Sequence, residues 1–253
     1  MKYNPEAQKN IEDLLVNYKS IFTDTDCEFD EIFHNFTFDE CINSSGLTKE
    51  RIYLVILSSL ISNQSLSQFK VYLECAISYG ISPVKIKELI YQSVPYIGMA
   101  KAYDFIEESN YVFDEMGISL PLAGQSTTTS KNRHDEGLSK QIEYFGSDMI
   151  NQMHESTPDN QKHFNDFLAG YCFGDFYTRG GLNDQDRELI TFCFIASLRG
   201  CENQLRGHII GNVNVGNTFD DLISALTILL PFNGFPRTLN ALNIINEVSE
   251  MME

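Results

Sequence analysis

The chain is short of positive charge: 18 Lys and Arg stand against 35 Asp and Glu, a formal net charge of −17 over 253 residues. Such a surface repels polyanions, which argues against nucleic acid and anionic membranes as partners. Long apolar runs are missing too. The longest candidate, LISALTILLPF at 222–232, contains Ser, Thr and a proline and falls well short of the roughly 18 apolar residues of a spanning helix. The start, MKYNPEAQKN, has no apolar h-region, so a cytoplasmic protein without a signal peptide is expected. Cysteines are present at 27, 41, 75, 172, 193 and 201 but form no CxxC pair and no zinc spacing, which favours reduced thiols over a disulfide scaffold. His34, His134, His154 and His163 show no ligand spacing either, so no metal is expected. What is present is 43% apolar residues, enough to build cores rather than disorder.

The chain also contains itself twice. Setting RIYLVILSSL at 51 against RELITFCFIA at 187 gives a gapless shift of 136 that pairs Arg51 with Arg187, Gln68 with Gln204, Gly80 with Gly216, Pro95 with Pro231 and Gly98 with Gly234. Upstream the shift is 135, pairing Phe29 with Phe164, Phe38 with Phe173 and Gly46 with Gly181. Two copies of a roughly 80-residue unit, at 29–113 and 164–249, therefore account for the length. Within each copy apolar residues recur at three- and four-residue spacing, so helices are expected and strands are not. Gly80 and Gly216 stand where helices should end, Ser82 and Thr218 where N-caps belong, and Pro95 and Pro231 where a helix should break or start. The Ser/Thr/Gly-rich stretch between the copies reads as a linker. The expected architecture is all-α: a first unit at 1–116, a linker at 117–137 and a second unit at 138–253, packed as an internal pseudo-dimer. Lead-in helices are expected near 5–19 and 138–155.

Chemistry is expected where the copies disagree. LRGCENQLRGHIIGN in the second copy faces SNQSLSQFKVYLECA in the first, so Cys201 faces Ser65, Arg206 faces Lys70 and His208 faces Tyr72. A helix over 201–212 would put Cys201, Gln204, Leu205, His208 and Asn212 on one stripe. Glu188, matched by Ile52, lies near the start of the preceding helix; in a hairpin turning at Gly200 its height differs from that of His208 by roughly 6 Å. A carboxylate there can reach the imidazole and fix its tautomer. Past Lys162 the chain has no lysine but carries five of its seven arginines, at 179, 187, 199, 206 and 237. Guanidinium groups pair bidentately with carboxylates, so Arg206 and Arg179 are candidate anchors for an anionic substrate. Arg187 and Arg237 read more simply as structural ion-pair partners of nearby acids.

Three segments carry a resemblance: FGDFYTRGGLNDQDRELITF at 173–192, GCENQLRGHIIGNVNVGN at 200–217 and LLPFNGFPRTLNALNIINEV at 229–248. They resemble the carboxymuconolactone decarboxylase family, which includes the alkylhydroperoxidase D proteins. The resemblance implies helix-hairpin units, homo-oligomers such as a dimer or trimer of pseudo-dimers, and chemistry without a cofactor on lactones or on peroxides. In the alkylhydroperoxidase pattern a CxxC pair precedes a histidine by four residues. Cys201 and His208 match its first cysteine and its histidine, while Gln204 replaces the second thiol, so one chain cannot close the disulfide of that cycle. The decarboxylase pattern implies His208 as general acid or base, tuned by Glu188, with Cys201 at the site and Arg206, Arg179 and Gln204 toward a small anionic substrate. The alternatives are a hydroperoxide-consuming thiol peroxidase and a non-catalytic binding module.

Overall fold

The computed structural model describes residues 3–16 and 18–252. Among them the secondary structure is helical throughout and no strand occurs. The first half runs α1 (Pro5–Leu14), α2 (Cys27–Asn35) continuing into a π-helical segment (Phe36–Cys41), α3 (Lys49–Ser62), α4 (Leu66–Tyr79), α5 (Pro83–Ile97) and α6 (Met99–Glu115). The second runs α7 (Arg133–Phe145), α8 (Ser147–Ser156), α9 (Lys162–Phe167) continuing into a π-helical segment (Leu168–Tyr177), α10 (Asp184–Ser197), α11 (Glu202–Asn214), α12 (Phe219–Asn233) and α13 (Phe235–Met252). The repeat is therefore structural: α3 to α6 recur as α10 to α13.

The units pack reciprocally. α3 lies against α10, its own counterpart, while α3 also meets α12 and α10 meets α5. Each unit thus offers the same faces to the other, as in an isologous dimer folded into one chain. Both central helices are apolar on nearly all sides, with 52–62 and 186–197 buried, because each is covered by its own unit and by the other. A polar seam fixes their register: Arg51 Nε donates to Asp186 Oδ1 at 3.1 Å and its Nη2 to Asn217 Oδ1 at 3.0 Å, while Lys85 Nζ reaches Asp186 Oδ2 at 2.9 Å.

The punctuation follows the chemistry, with corrections. Gly80 ends α4 in the left-handed region at φ 107°, and Thr218 forms a reciprocal capping box with Asp221 at the start of α12. Ser82 stands at the N-cap of α5 but makes no capping hydrogen bond. Pro95 and Pro231 do not break their helices; each sits inside the last turn, and the break comes at Gly98 and Gly234, with φ of 83° and 76°. A proline near a helix end forfeits one hydrogen bond, whereas the glycine turns the chain. The expected lead-in helix at 138–155 is two helices, starting earlier at Arg133 and divided at Gly146. The first lead-in helix ends at Leu14 rather than near 19.

α7 crosses the second π-helical segment at backbone contact. A Cβ at Gly137 would lie 1.9 Å from the Ala169 carbonyl oxygen, and one at Gly174 would lie 1.9 Å from that of Arg133. Only glycine at both positions allows this crossing, which brings α7 onto α11 and carries Gln141 and Phe145, one turn apart, with it.

Candidate active site

α10 and α11 form the hairpin expected from sequence, and it brings Glu188 to His208. His208 Nδ1 lies 2.9 Å from Glu188 Oε2, and the carboxylate has 0% exposure. Three features hold the pair. Tyr177 donates its hydroxyl proton to Glu188 Oε1 at 2.8 Å. Asn212 Nδ2 bonds the carbonyl oxygens of both Glu188 and His208, at 3.0 and 2.7 Å, locking α11 to α10. Gly211 completes the fit: a Cβ there would lie 2.7 Å from Glu188 Oε2 and 2.9 Å from Phe145 Cε1.

The network extends into the first unit. Tyr96 Oη, from α5, lies 2.5 Å from Tyr177 Oη. Tyr177 spends its single proton on Glu188, so Tyr96 is the donor between them. Burial holds both phenols well above their ordinary value, so both remain protonated. The Tyr96 and Phe145 rings then meet the imidazole edge-on, with centroids 5.3 and 5.5 Å away. The imidazole is thereby fixed with Nδ1 turned to the acid, and Nε2 has no hydrogen-bond partner among the described residues.

His208 lines a cavity of about 880 Å³. Cys201 and Gln204 line it too, with Tyr96, Gln141 and Cys172, and the rest of the wall is aromatic, aliphatic or Met. Burial pushes the Cys172 thiol up to about 12. Cys201 precedes α11 and also borders a smaller cleft of about 340 Å³ with Arg199 and Arg237.

The arginines require correction. Arg206 pairs with Glu247 at 2.5 Å, and Arg179 makes a bidentate pair with Glu88 at 2.8 and 2.9 Å, in a different cavity of about 490 Å³. Neither lines the cavity of His208, and among the described residues no Lys, Arg, Asp or Glu does. Arg206 lies two positions before His208 on α11, a spacing that turns a helical side chain away rather than beside it. Among the described residues Arg187 and Arg237 are not paired to acids: Arg187 donates to Gln92 Oε1 and to the Arg179 carbonyl, both at 2.8 Å, and Arg237 bonds Asn63 Oδ1 at 2.7 Å and the Ser197 carbonyl. Burial also draws the Arg187 guanidinium below its ordinary value.

Sequence reasoning missed Tyr96, Tyr177, Gln141 and Phe145. For the two tyrosines a signal existed, since the repeat sets Tyr177 against Ile42 and Tyr96 against Phe232, each gaining a hydroxyl where the site gains polar groups. For α7 no such signal existed, because its role depends on the crossing at Gly137.

An all-α repeat of helix hairpins carrying a buried Glu–His pair defines the class, and three comparisons place it. Residues 162–247 match the family described as "Carboxymuconolactone decarboxylase family". A 118-residue stretch is 28% identical to the 4-carboxymuconolactone decarboxylase of Acinetobacter baylyi, covering 47% of this chain and 87% of that protein. A solved chain from Burkholderia xenovorans, described as a proposed gamma-carboxymuconolactone decarboxylase subunit, superposes with a TM-score of 0.53 at 16% identity over 98% of this chain and 99% of its own. This last likeness speaks for the fold across both units. The match to the carboxymuconolactone decarboxylase family lies in the second unit.

Proposed function

We propose that the protein is a general acid–base enzyme with one site, in the second unit (138–253), acting by proton transfer at a carbon beside a lactone or related carbonyl group. The observation that carries this reading is the orientation of His208: Nδ1 is committed to the buried Glu188 carboxylate, which leaves Nε2 to the cavity. Nε2 takes a proton from the bound molecule, Glu188 stabilises the imidazolium so formed, and the same nitrogen returns the proton at the neighbouring position. Tyr177 and Tyr96 keep the carboxylate aligned, and the first unit (1–116) serves as scaffold and supplies Tyr96. Loss of carbon dioxide from a carboxylated lactone, the reaction in the name of the Acinetobacter relative, is the decarboxylating version of this chemistry; protonated His208 would then face the substrate's carboxylate. Assembly into a homo-oligomer of such pseudo-dimers belongs to the same proposal.

A second reading has its own observation: Cys201 lines the cavity of His208 and stands at the N-cap of α11. A peroxidase built on it would need an external thiol to resolve the oxidised cysteine. The two readings separate in one experiment. Turnover is followed as carbon dioxide release or proton exchange on a panel of butenolides, and in parallel as consumption of an organic hydroperoxide. His208→Ala abolishes the first activity and Cys201→Ser leaves it nearly intact. Loss of all turnover in Cys201→Ser, with hydroperoxide as the only substrate consumed, would reverse the assignment.

A further inference from the structure

The cavity's lining defines the kind of molecule it takes. We infer that it binds an uncharged, largely apolar compound carrying one hydrogen-bonding group, which the Gln141 amide holds, rather than the small anion that the arginine count suggested. The inference rests on the reading of this cavity as the active site and deepens it by naming the substrate class.

Three observations carry it. The first is the orphaned amide: Gln141 is 1% exposed, lies on the cavity wall, and its Oε1 is buried without a hydrogen-bond partner. A buried amide oxygen left unpaired is costly, and a ligand hydroxyl or other neutral donor satisfies it. The second is the wall itself, where Met99, Met149, Met153, Phe145, Phe164 and Phe167 supply polarisable, apolar surface. The third is charge. With no cation on the wall, a carboxylate taken from water would lose its hydration and gain no fixed partner except a His208 that had itself acquired a proton. The volume, about 880 Å³, lies at the upper end of small-molecule sites, so the occupant has room for an extended body.

A matched pair of probes tests this: α-hydroxy-γ-dodecalactone and 2,4-dihydroxydodecanoate, its own hydrolysed form, which share a carbon skeleton and a hydroxyl donor for Gln141 and differ in the ring opening that creates the carboxylate. Titration calorimetry at neutral pH on the full chain is expected to show the lactone binding at least tenfold more tightly than the hydroxy acid. Gln141→Leu weakens the lactone about tenfold, and Phe167→Ala, a change at an exposed wall position, weakens it by a smaller factor without threatening the fold. Equal or tighter binding of the hydroxy acid, an unchanged lactone affinity in Gln141→Leu, or no binding of either probe would overturn the inference. His208→Ala is the separating arm. Lactone that binds this variant and the wild type alike, with no proton exchange in the wild type, would leave the substrate class standing and sink the proposed chemistry. Turnover confined to carboxylated lactones, with no affinity for the neutral probe, would do the reverse.

Discussion

The two units share a helical plan and differ in what fills one place. In the second, His208 meets Tyr96 edge-on at 5.3 Å; in the first, Tyr72 meets Phe232 edge-on at 5.8 Å, at the same two positions of the repeat. Around them Glu188 becomes Ile52, Tyr177 becomes Ile42 and Gly211 becomes Cys75. Every polar member of the network is replaced together. A half-kept network would leave a carboxylate or a hydroxyl buried without a partner, which costs more than an apolar filling of the same space. One unit therefore carries polar machinery and the other carries packing, and the asymmetry is a physical consequence of burying both against a shared interface. The separation is not complete, since Tyr96 comes from the packing unit.

Truncating the two matched side chains tests the contrast most severely. His208→Ala is expected to lower kcat per folded molecule by about 10²- to 10⁴-fold, the usual worth of a positioned acid–base group, and also to lower the melting temperature, because it takes a partner from the buried Glu188 carboxylate. Tyr72→Ala is expected to act on stability alone, costing about 3–5 kcal/mol as a large buried side chain while leaving kcat per folded molecule unchanged. Matched activity losses in the two variants would mean that the first unit holds a working site.

Lys87 offers a second contrast, because the repeat sets it against Ile223. Its ammonium is buried on α5 and bonds the Ile106 carbonyl, Ser109 Oγ and Asn110 Oδ1 of α6 with no carboxylate partner among the described residues, and burial lowers it from 10.5 to about 8. Between those two values the unfolded chain holds the proton and the folded chain does not, so the destabilising contribution is complete below about pH 8 and fades as pH rises. In denaturant titrations the wild type should gain about 3 kcal/mol on Lys87→Ile between those limits, at about 1.4 kcal/mol per unit. A flat difference across that window would show the ammonium to be better solvated than its burial indicates.

Gly211 and Cys75, which share one position of the repeat, should differ by a smaller amount. Gly211→Ala drives a methyl group against Glu188 and Phe145 and is expected to cost about 1–3 kcal/mol, with activity falling as the Glu–His pair separates. Cys75→Ala, in the first unit, removes only a thiol and should leave activity untouched. Thermal melts and steady-state rates on the two variants measure both.

Much of this was legible in the residues. The repeat placed α3 to α6 and α10 to α13 because helices on a shared plan keep glycines at their ends and apolar stripes on their inner faces. The pairing of Glu188 with His208 followed from hairpin arithmetic alone. The arginines misled because composition counts charges without giving them directions: Arg206 and Arg179 turned to Glu247 and Glu88, acids that sequence reading had no means of assigning to them. The repeat marks Tyr96 and Tyr177 as gained hydroxyls, but their pairing was not legible, since they lie in different units and only packing brings them to 2.5 Å. Gln141 lay in a segment read as a featureless lead-in helix, and its importance rests on a crossing that two glycines permit.

The proposed chemistry needs His208 to carry its proton on Nδ1, against Glu188, and to present a bare Nε2 to the cavity. Long-range ¹H–¹⁵N correlation spectra of imidazole-labelled protein, recorded where the ring is neutral, read it directly. His208 is expected to be the Nδ1–H tautomer, with a hydrogen-bonded proton resonance that is lost in Glu188→Ala. An Nε2–H tautomer in the wild type would contradict this, because the nitrogen facing the cavity would already hold the proton it is supposed to accept.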